Sequence, residues 1–309
     1  MTFEVVAIFG PTGVGKTDVA IALAERLRAA GEEPVAVSAD ALQVYRGLET
    51  LTGVASARER ARLEHRLVSF VELHETFSAG RYAQLAHAEI DALIATRRRP
   101  IVVGGTGLYL RAALAHLDMR PPPARATRER WSAELDRRGP EALHRELAAR
   151  SPESAAEIDA RDRQRIVRAL ELLDAGTSRA RRHRSQLWTA QMRRPTLLIG
   201  LTMARDELYA RIDARVERML EEGAADEVAR ANAANASTSA RKALGFRELL
   251  DGDTEAMKRH SRQYARRQLT WMRKLARVQL IDLSERTVEQ AACEIAELAR
   301  VLPRSPRSR

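Results

Sequence analysis

A glycine-rich turn between an apolar run and an amphipathic segment constrains this chain more than any other feature. Residues 3–9 are mostly apolar, residues 10–17 read GPTGVGKT, and apolar residues then recur at helical spacing from Val19 to Leu27. The pattern predicts a strand, a phosphate-binding loop and a helix, which is the context that a G-x-x-x-x-G-K-[ST] motif requires. The flanking strand and helix disfavour the alternative of a chance glycine turn. We therefore expect a di- or triphosphate group at this loop.

Each part of the loop has an expected contribution to phosphate binding. Its glycines let backbone N–H groups point inward, and the following helix places its positive N-terminal dipole at the anion. The Lys16 ammonium is expected to reach terminal phosphate oxygens, and the Thr17 hydroxyl is a candidate ligand for Mg²⁺. The predicted phosphate-binding residues are Gly10, Pro11, Thr12, Gly13, Val14, Gly15, Lys16 and Thr17.

The composition narrows the class of protein. The 309 residues carry 52 Lys+Arg against 42 Asp+Glu, a net charge of +10 that suits a polyanionic partner. The basic residues are almost all arginine, and a high arginine content also reflects genome composition or heat adaptation. Net charge alone therefore does not decide whether the partner is a nucleic acid. The single cysteine, Cys293, excludes an internal disulfide and a thiolate metal cluster. Because no apolar run approaches the length of a membrane span, we expect a cytoplasmic protein without a membrane partner.

Short β-type runs alternate with helical patterns, which predicts an α/β fold with a parallel sheet flanked by helices. The predicted strands are residues 5–9, 34–38, 100–103, 196–201 and 278–283. After three prolines at 121–123 the pattern is helical until the fourth strand. We therefore expect a discontinuous core of residues 1–118 and 195–302, interrupted by a mainly helical insertion of residues 119–194. Residues 303–309 read as a basic, disordered tail.

Two further segments follow predicted strands, at the sheet edge where open α/β folds bind ligands. Asp40 follows the second strand, where a carboxylate could hold Mg²⁺ through water or accept a proton; a helix N-cap is the competing interpretation. The third strand ends in Gly104-Gly105-Thr106, where most P-loop ATPases place a carboxylate. This difference disfavours a motor-type NTPase but not a small-molecule kinase. The glycines would permit close approach of a substrate, and a purely structural turn is the alternative.

Basic residues recur at helical spacing in three places. No acidic residue occurs between Lys258 and Val278, and the arginines of this stretch share one predicted helix face, which favours contact with a phosphate backbone over a solvated surface. They are Arg259, Arg262, Arg266, Arg273 and Arg277. Arg211 and Arg215 lie four residues apart after the fourth strand, where one could reach a phosphate and a structural role is equally compatible. A weaker stripe in the insertion consists of Arg161, Arg165 and Arg168.

In order along the chain, these motifs resemble the tRNA dimethylallyltransferases, also called tRNA isopentenyltransferases. The resemblance covers nearly the whole chain and rests on GPTGVGKT, SADALQVYRG, VVGGTGLYL, DRQRIVRALEL, KALGFREL and YARRQLTWMRK. It implies a P-loop-kinase-like core with a helical insertion. It also implies transfer of a dimethylallyl group from dimethylallyl diphosphate to N6 of the adenosine 3′ of the tRNA anticodon, with release of diphosphate and with Mg²⁺ as cofactor.

The resemblance further implies roles for individual residues. The loop at 10–17 would hold the prenyl diphosphate, with Lys16 and Arg215 at its phosphates and Thr17 on Mg²⁺. Asp40 would be the general base for the adenine amine, and Thr106 would contact the target nucleotide. The anticodon stem-loop is the expected partner of a monomeric enzyme. The implied tRNA-binding positions are Asp40, Ala41, Leu42, Gln43, Thr106, Arg128, Arg161, Asp162, Arg163, Gln164, Arg165, Lys242, Ala243, Leu244, Gly245, Phe246 and Arg247.

Departures from the family pattern limit what can be carried over. Ala41 stands where the family commonly has serine, and residues 48–55 read LETLTGVA where it usually reads MDIGTAKP, so no role is assigned to that loop. Three rival functions remain: a small-molecule kinase that turns over ATP without RNA, a prenyltransferase of free adenylate, and an RNA-binding protein that uses a nucleotide as a switch. The last predicts that Asp40→Asn changes no catalytic activity.

Overall fold

The computed structural model describes residues 3–119, 125–176 and 186–300. One compact unit consists of Met1–Asp118 and Leu187–Arg309, and the other of Met119–Gln186. The second unit ends before the boundary predicted at residue 194. The reason lies in contacts of the returning chain, because Arg193 N donates to Leu114 O at 2.8 Å and the Arg193 guanidinium pairs with Asp91 at 2.6 Å. The predicted proline break at 121–123 and tail at 303–309 lie outside the described residues.

The described part of the first unit contains a six-stranded parallel sheet. Its strands are β1 (Val5–Phe9), β2 (Glu33–Ser38), β3 (His65–Arg66), β4 (Arg98–Gly104), β5 (Thr196–Thr202) and β6 (Gln279–Asp282). They pair in the order β3-β2-β4-β1-β5-β6, with every pairing parallel. The five predicted strands are confirmed. The edge strand β3 was not predicted, because two residues are too few to show a period.

Helices cover both faces of this sheet and form the second unit. They are α1 (Lys16–Ala29), α2 (Glu49–Thr52), α3 (Ala57–Arg62), α4 (Ala79–Ala95), α5 (Gly107–Leu114), α6 (Arg125–Arg138), α7 (Pro140–Arg150), α8 (Pro152–Ala156), α9 (Arg163–Asp174), α10 (Arg205–Glu221), α11 (Ala224–Ala233), α12 (Phe246–Leu250), α13 (Thr254–Met272) and α14 (Val288–Arg300). In the described residues, no helix combines the length and apolar composition needed to cross a bilayer.

Burial explains the apolar runs of the central strands. All five residues of β1 are buried, because β1 lies between β4 and β5 and helices pack on both faces of the sheet. The second unit has its own smaller core, in which Trp131, Leu143 and Ile166 are at most 5% exposed. The insertion is helical as predicted, with no strand among its described residues.

The basic stripe predicted along residues 259–277 is shorter than the sequence suggests. The helix α13 ends at Met272, and Arg277 has a φ of 58°, so it lies outside the helix. Arg262 pairs with Asp213 of α10 at 2.6 Å, and Arg259 with Asp253 at 3.8 Å. The expectation of one continuous helical face was wrong, because α13 ends at Met272. The stretch itself contains no acidic residue, and the ion-pair partners come from outside it.

The end of β4 gives a stability prediction. A Cβ at Gly104 would lie 2.1 Å from Ala39 O, and the main chain there is fixed because Ala39 N donates to Val103 O at 2.7 Å. We expect Gly104→Ala to lower the free energy of unfolding by about 3 kcal/mol, measured by urea denaturation. Gly252→Ala is the control, since a Cβ there meets nothing within 4 Å and its φ of 70° costs about 1 kcal/mol. Equal losses in the two variants would contradict the overpacking argument.

Candidate active site

The carboxyl ends of the central strands open into a cavity of about 740 Å³. The sheet is parallel, so the loops that follow β1, β2 and β4 meet at this one edge. The cavity is lined by the phosphate loop, by Asp40, by residues 49–56, and by one face each of α10 and α13. It therefore brings together side chains that the sequence distributes over more than two hundred positions.

The phosphate loop has the backbone conformation that its glycines predict. Gly13 and Gly15 have φ values of 82° and 99°, the left-handed region that other residues rarely adopt, and α1 begins immediately afterwards at Lys16. The Lys16 ammonium donates to Pro11 O at 2.8 Å and to Gly10 O at 3.0 Å. The loop thus surrounds this ammonium and presents the N-terminus of α1 to the cavity.

Two half-buried cations, Lys16 and Arg215, both line the cavity. Burial is the main cause that lowers the pKa of Lys16 to about 7; the neighbouring Arg215 guanidinium lowers it further, and Asp40 opposes the shift. Burial also lowers the pKa of Arg215, and Arg218 adds to that effect. Arg215 forms no ion pair within the described residues. Like charges held close together without a paired carboxylate are suited to an anionic ligand such as a diphosphate.

The lowered pKa of Lys16 predicts a pH dependence of diphosphate binding. The ligand's negative charge favours the protonated ammonium, so its pKa rises on binding, and binding above pH 7 takes up a proton. The affinity contributed by Lys16 should be complete below pH 7 and decline above it, by up to about tenfold per pH unit. Calorimetry with inorganic diphosphate at pH 8, in two buffers of different ionisation enthalpy, measures this uptake. The same uptake in Lys16→Met would refute it, because diphosphate's own titration is common to both proteins.

Asp40 lies in a turn rather than at the start of a helix. Its Oδ1 accepts hydrogen bonds from Leu42 N at 2.9 Å and from Gln43 N at 3.4 Å, and the next helix begins only at Glu49. The competing interpretation as a helix N-cap was therefore wrong. Among the described residues nothing donates to Oδ2, which leaves this oxygen of the cavity-lining carboxylate available to a ligand.

The glycines of the Gly-Gly-Thr turn line the cavity and are also packed closely against protein. Gly104 and Gly105 both line the cavity, so their expected role in permitting close approach of a substrate stays a prediction. A Cβ at Gly105 would lie 2.2 Å from Gln268 Nε2, and one at Gly107 would lie 2.2 Å from Trp271 Cε3, so side chains at these two positions would meet α13. Thr106 Oγ1 accepts a hydrogen bond from Ala41 N at 3.4 Å, so the turn is joined to the segment that carries Asp40.

The side chain of Gln268 lies between the phosphate loop and the Gly-Gly-Thr turn and bonds to both. This buried amide accepts a hydrogen bond from Thr12 N at 2.8 Å and donates one to Gly105 O at 2.9 Å. Its contacts tie the phosphate loop to the Gly-Gly-Thr turn. Gln268 was not predicted from the sequence, although it lies one helical turn after Tyr264, whose hydroxyl is 3.4 Å from Thr106 Oγ1. Its position one helical turn after Tyr264 is the sequence feature that could have indicated this role.

The divergent loop at 48–55 lines the cavity and contacts Arg215. A Cβ at Gly53 would lie 1.7 Å from Arg215 Nη2, so the guanidinium packs directly on the main chain of this loop. Gln43 Nε2 donates to Gly53 O at 3.0 Å. The buried Glu227 accepts from Thr50 N at 3.0 Å and from Leu51 N at 2.9 Å. Neither Gly53 nor Glu227 carries a local sequence signal for this role.

A hydroxyl of the phosphate loop fits the requirements of Mg²⁺. Thr17 lines the cavity, and its hydroxyl has no hydrogen-bond partner among the described residues. No cluster of three or more His, Cys, Asp or Glu side chains that could hold a metal occurs in them. Because Mg²⁺ usually keeps several waters and binds one or two protein oxygens together with substrate phosphates, the Thr17 hydroxyl with a bound diphosphate is a compatible donor set.

The predicted tRNA-binding positions are only partly at the cavity. Leu42, Gln43 and Leu244 line it with Asp40. In the segment at 242–247, Phe246 is buried, whereas Lys242 and Arg247 are exposed. A Cβ at Gly245 would lie 2.6 Å from Met257 Cε. Contact of these residues with tRNA stays a prediction.

The remaining tRNA-binding positions lie in the second unit. Arg128 forms two hydrogen bonds with the buried Glu171, at 2.7 and 3.2 Å, so part of its role is structural. Arg163 pairs with Asp136 at 2.6 Å. Asp162 caps α9 by accepting from Arg165 N at 3.0 Å. Arg161 and Gln164 are exposed, and contact of all these residues with tRNA stays a prediction.

Comparisons with known proteins agree with this arrangement. The family model described as IPP transferase matches residues 43–275. A tRNA dimethylallyltransferase of Bacillus velezensis is 37% identical over 95% of this chain and 95% of its own, and one of Kineococcus radiotolerans is 38% identical over 92% and 95%. The crystal structure of a tRNA isopentenylpyrophosphate transferase from Bacillus halodurans is 33% identical, with a TM-score of 0.68 over 96% of this chain and 95% of that one.

A second solved structure extends the likeness beyond bacteria. It is that of a eukaryotic dimethylallyltransferase acting on tRNA, which is 25% identical with a TM-score of 0.72, over 92% of this chain and 75% of that one. Sequence and fold are thus similar to the same group of enzymes over almost the full length. With the phosphate loop, Asp40, Thr106 and Arg215 at one sheet edge, this chain belongs to the IPP transferase family, the family of the tRNA dimethylallyltransferases.

Proposed function

We propose that this chain transfers a dimethylallyl group from dimethylallyl diphosphate to N6 of the adenosine 3′ of a tRNA anticodon and releases diphosphate. The observation that carries the proposal is the single cavity that holds both a cationic diphosphate site, at Lys16 and Arg215, and a carboxylate with a free oxygen, at Asp40. Gln268 connects the phosphate loop, which carries Lys16, to the Gly-Gly-Thr turn beside Asp40. A substitution in which a weak nucleophile displaces an anionic leaving group needs both the cationic site and the carboxylate.

The proposed reaction forms one bond and breaks one at C1, and it moves one proton from N6 to Asp40. The N6 lone pair attacks C1 of the dimethylallyl group, and the C1–O bond electrons leave with the diphosphate. Lys16, Arg215 and the N-terminus of α1 would stabilise the charge that develops on the leaving oxygen. The N6 proton becomes acidic as the bond forms, and Asp40 would accept it. Mg²⁺ held by Thr17 and the diphosphate would neutralise part of the leaving group's charge.

The RNA must present its target outside the stack. The N6 amine of a stacked anticodon-loop base cannot reach a carboxylate inside a cavity, so the adenosine would be extruded into it. Thr106, the last residue of the Gly-Gly-Thr turn, accepts a hydrogen bond from Ala41 N and would contact this nucleotide. Basic side chains would position the phosphate backbone without reading sequence. The net charge of +10 is consistent with such a partner.

The test is the identity of the product. The protein is incubated with Mg²⁺, dimethylallyl diphosphate and unmodified tRNA, the RNA is digested, and the nucleosides are analysed by mass spectrometry. Prenylated adenosine formed only with tRNA is the expected result. Prenylated product from free AMP alone would indicate the adenylate prenyltransferase, and ATP turnover without RNA would indicate the kinase. Either outcome would overturn the proposal.

A further inference from the structure

Two tryptophans lie beside the Gly-Gly-Thr turn without a role in the proposed chemistry. Trp188 and Trp271 belong to the first unit, and their ring centroids are 4.6 Å apart with the ring planes inclined at 53°. Both are half-buried, in contrast to the apolar core side chains. An aromatic pair that keeps exposed surface beside this turn is a candidate for binding a planar group.

The location of the pair is set by a glycine. The Trp271 indole lies on the main chain at the start of α5, since a Cβ at Gly107 would come within 2.2 Å of its Cε3. Gly107 follows Thr106 directly, and Thr106 Oγ1 accepts a hydrogen bond from Ala41 N, the residue after Asp40. Trp271 therefore packs directly beside Thr106, the residue that would contact the target adenosine.

Cations accompany these rings. Lys274 Nζ is 5.4 Å from the centroid of the Trp188 ring, and the Arg267 guanidinium is 5.5 Å from the centroid of the Tyr264 ring. Lys274 and Arg267 are both exposed. Neither side chain has an ion-pair partner among the described residues. Aromatic faces interleaved with exposed cations are the features that bind single-stranded nucleic acid, through base stacking and phosphate contact.

The third tryptophan, Trp131, has a structural role and differs from the other two in burial and hydrogen bonding. Trp131 is 5% exposed in the core of the second unit, and its Nε1 donates to Asp174 at 2.6 Å. Within the described residues, the indole N–H groups of Trp188 and Trp271 have no hydrogen-bond partner. These two side chains thus combine exposed aromatic surface with a free donor, whereas Trp131 has neither.

We propose that Trp188 and Trp271 bind an unstacked RNA base adjacent to the target adenosine. This inference rests on the proposed function, because extrusion of the target removes the stacking partner of its neighbour. An indole surface would replace the lost stacking, and Lys274 would contact the adjoining phosphate. The ligand is a nucleobase of the anticodon loop other than the one that is modified. The pair acts in binding and takes no part in the bond-forming step.

A binding experiment without turnover tests the site directly. An unmodified anticodon stem-loop RNA is titrated against the full chain in the absence of prenyl donor, and tryptophan emission is followed, since stacked bases quench indole fluorescence. The chain has three tryptophans. In Trp131→Phe, RNA should still quench the emission. In the double variant Trp188→Phe with Trp271→Phe, which leaves only Trp131, RNA should no longer quench it. Quenching that survives in the latter protein would overturn the proposal.

Kinetics separate a binding role from a structural one. Trp188→Leu should raise the KM for tRNA by about tenfold or more, leave the KM for dimethylallyl diphosphate unchanged, and be largely rescued in Trp188→Phe. A stem-loop with an abasic nucleotide next to the target should show the same loss, and the combined change should add little to it. Equal effects on both KM values, or no effect of the abasic nucleotide, would make the pair structural.

The two proposals fail differently. If RNA quenches the emission of Trp188 and Trp271 but no prenylated adenosine forms, the proposed function fails and the base-binding site stands. If prenylated adenosine forms and the KM for tRNA is the same in Trp188→Leu as in the unchanged chain, the base-binding site fails and the proposed function stands.

Discussion

Replacing Asp40 by asparagine is expected to lower the turnover of dimethylallyl transfer by about 10²- to 10⁴-fold, the usual contribution of a positioned general base. Asparagine keeps an oxygen that can accept the hydrogen bonds from Leu42 N and Gln43 N, so the turn should be preserved. What the substitution removes is the carboxylate oxygen that faces the cavity. Single-turnover rates of prenylated adenosine formation, with both substrates saturating, measure the chemical step.

The control for this substitution is an aspartate that caps a helix away from the cavity. Asp253 accepts from Ala256 N at 2.8 Å at the start of α13 and does not line the cavity. Asp253→Asn also removes a carboxylate that accepts a main-chain hydrogen bond, so its turnover should match that of the unchanged chain. If the turnover of Asp40→Asn is within a few-fold of the Asp253→Asn value, Asp40 is not the general base. If no product forms with any of these proteins, including the unchanged chain, the nucleotide-switch alternative is favoured.

Replacing Arg215 by methionine is expected to lower kcat/KM for dimethylallyl diphosphate by about 10²- to 10³-fold, the range found when one donor to a developing anion is removed. The side chain lies among cations and has no ion-pair partner among the described residues, so its loss leaves no buried carboxylate unpaired. Steady-state kinetics with dimethylallyl diphosphate varied at saturating tRNA measure the effect. Arg230, on the exposed face of α11, provides the control. An equal loss of kcat/KM in Arg230→Met would show that the effect comes from the change of net charge and is not specific to Arg215.

Gly53 offers an independent way to remove the same guanidinium. A side chain at this position would occupy the place of Arg215 Nη2, so Gly53→Val should reproduce the loss seen in Arg215→Met. Because both changes act on one group, the double variant should be no worse than the more severe single variant. Losses that multiply would indicate that Gly53 acts on something other than Arg215, and the loop at 48–55 would then have a separate function.

The fold was predictable where its signal is local. The strand, loop and helix at residues 3–29 follow from an apolar run, a glycine motif and a helical period, and the structure has β1 and α1 at those positions. Local signals failed where a period ends or is too short. The edge strand β3 has two residues, and the basic pattern continues past Met272, where α13 stops.

The site was predictable only in part, because several of its contacts are made between distant segments. Asp40 and Thr106 were found because each follows a predicted strand. Gln268 was not, since its role consists of two hydrogen bonds to main-chain atoms 256 and 163 positions away. Glu227 was missed for the same reason, because it accepts hydrogen bonds from residues 177 and 176 positions earlier in the chain.

By itself the sequence determined the phosphate loop, the parallel α/β class, the helical insertion and the resemblance to tRNA dimethylallyltransferases. These depend on residue type and spacing over short windows, which the chain carries without folding. Only the tertiary structure decided that the loop at 48–55 seats Arg215, that α13 fills the space beside the Gly-Gly-Thr turn, and that Gln268 joins the two halves of the cavity. Parallel pairing of the strands brings their carboxyl ends to one edge, so residues far apart in sequence become neighbours there.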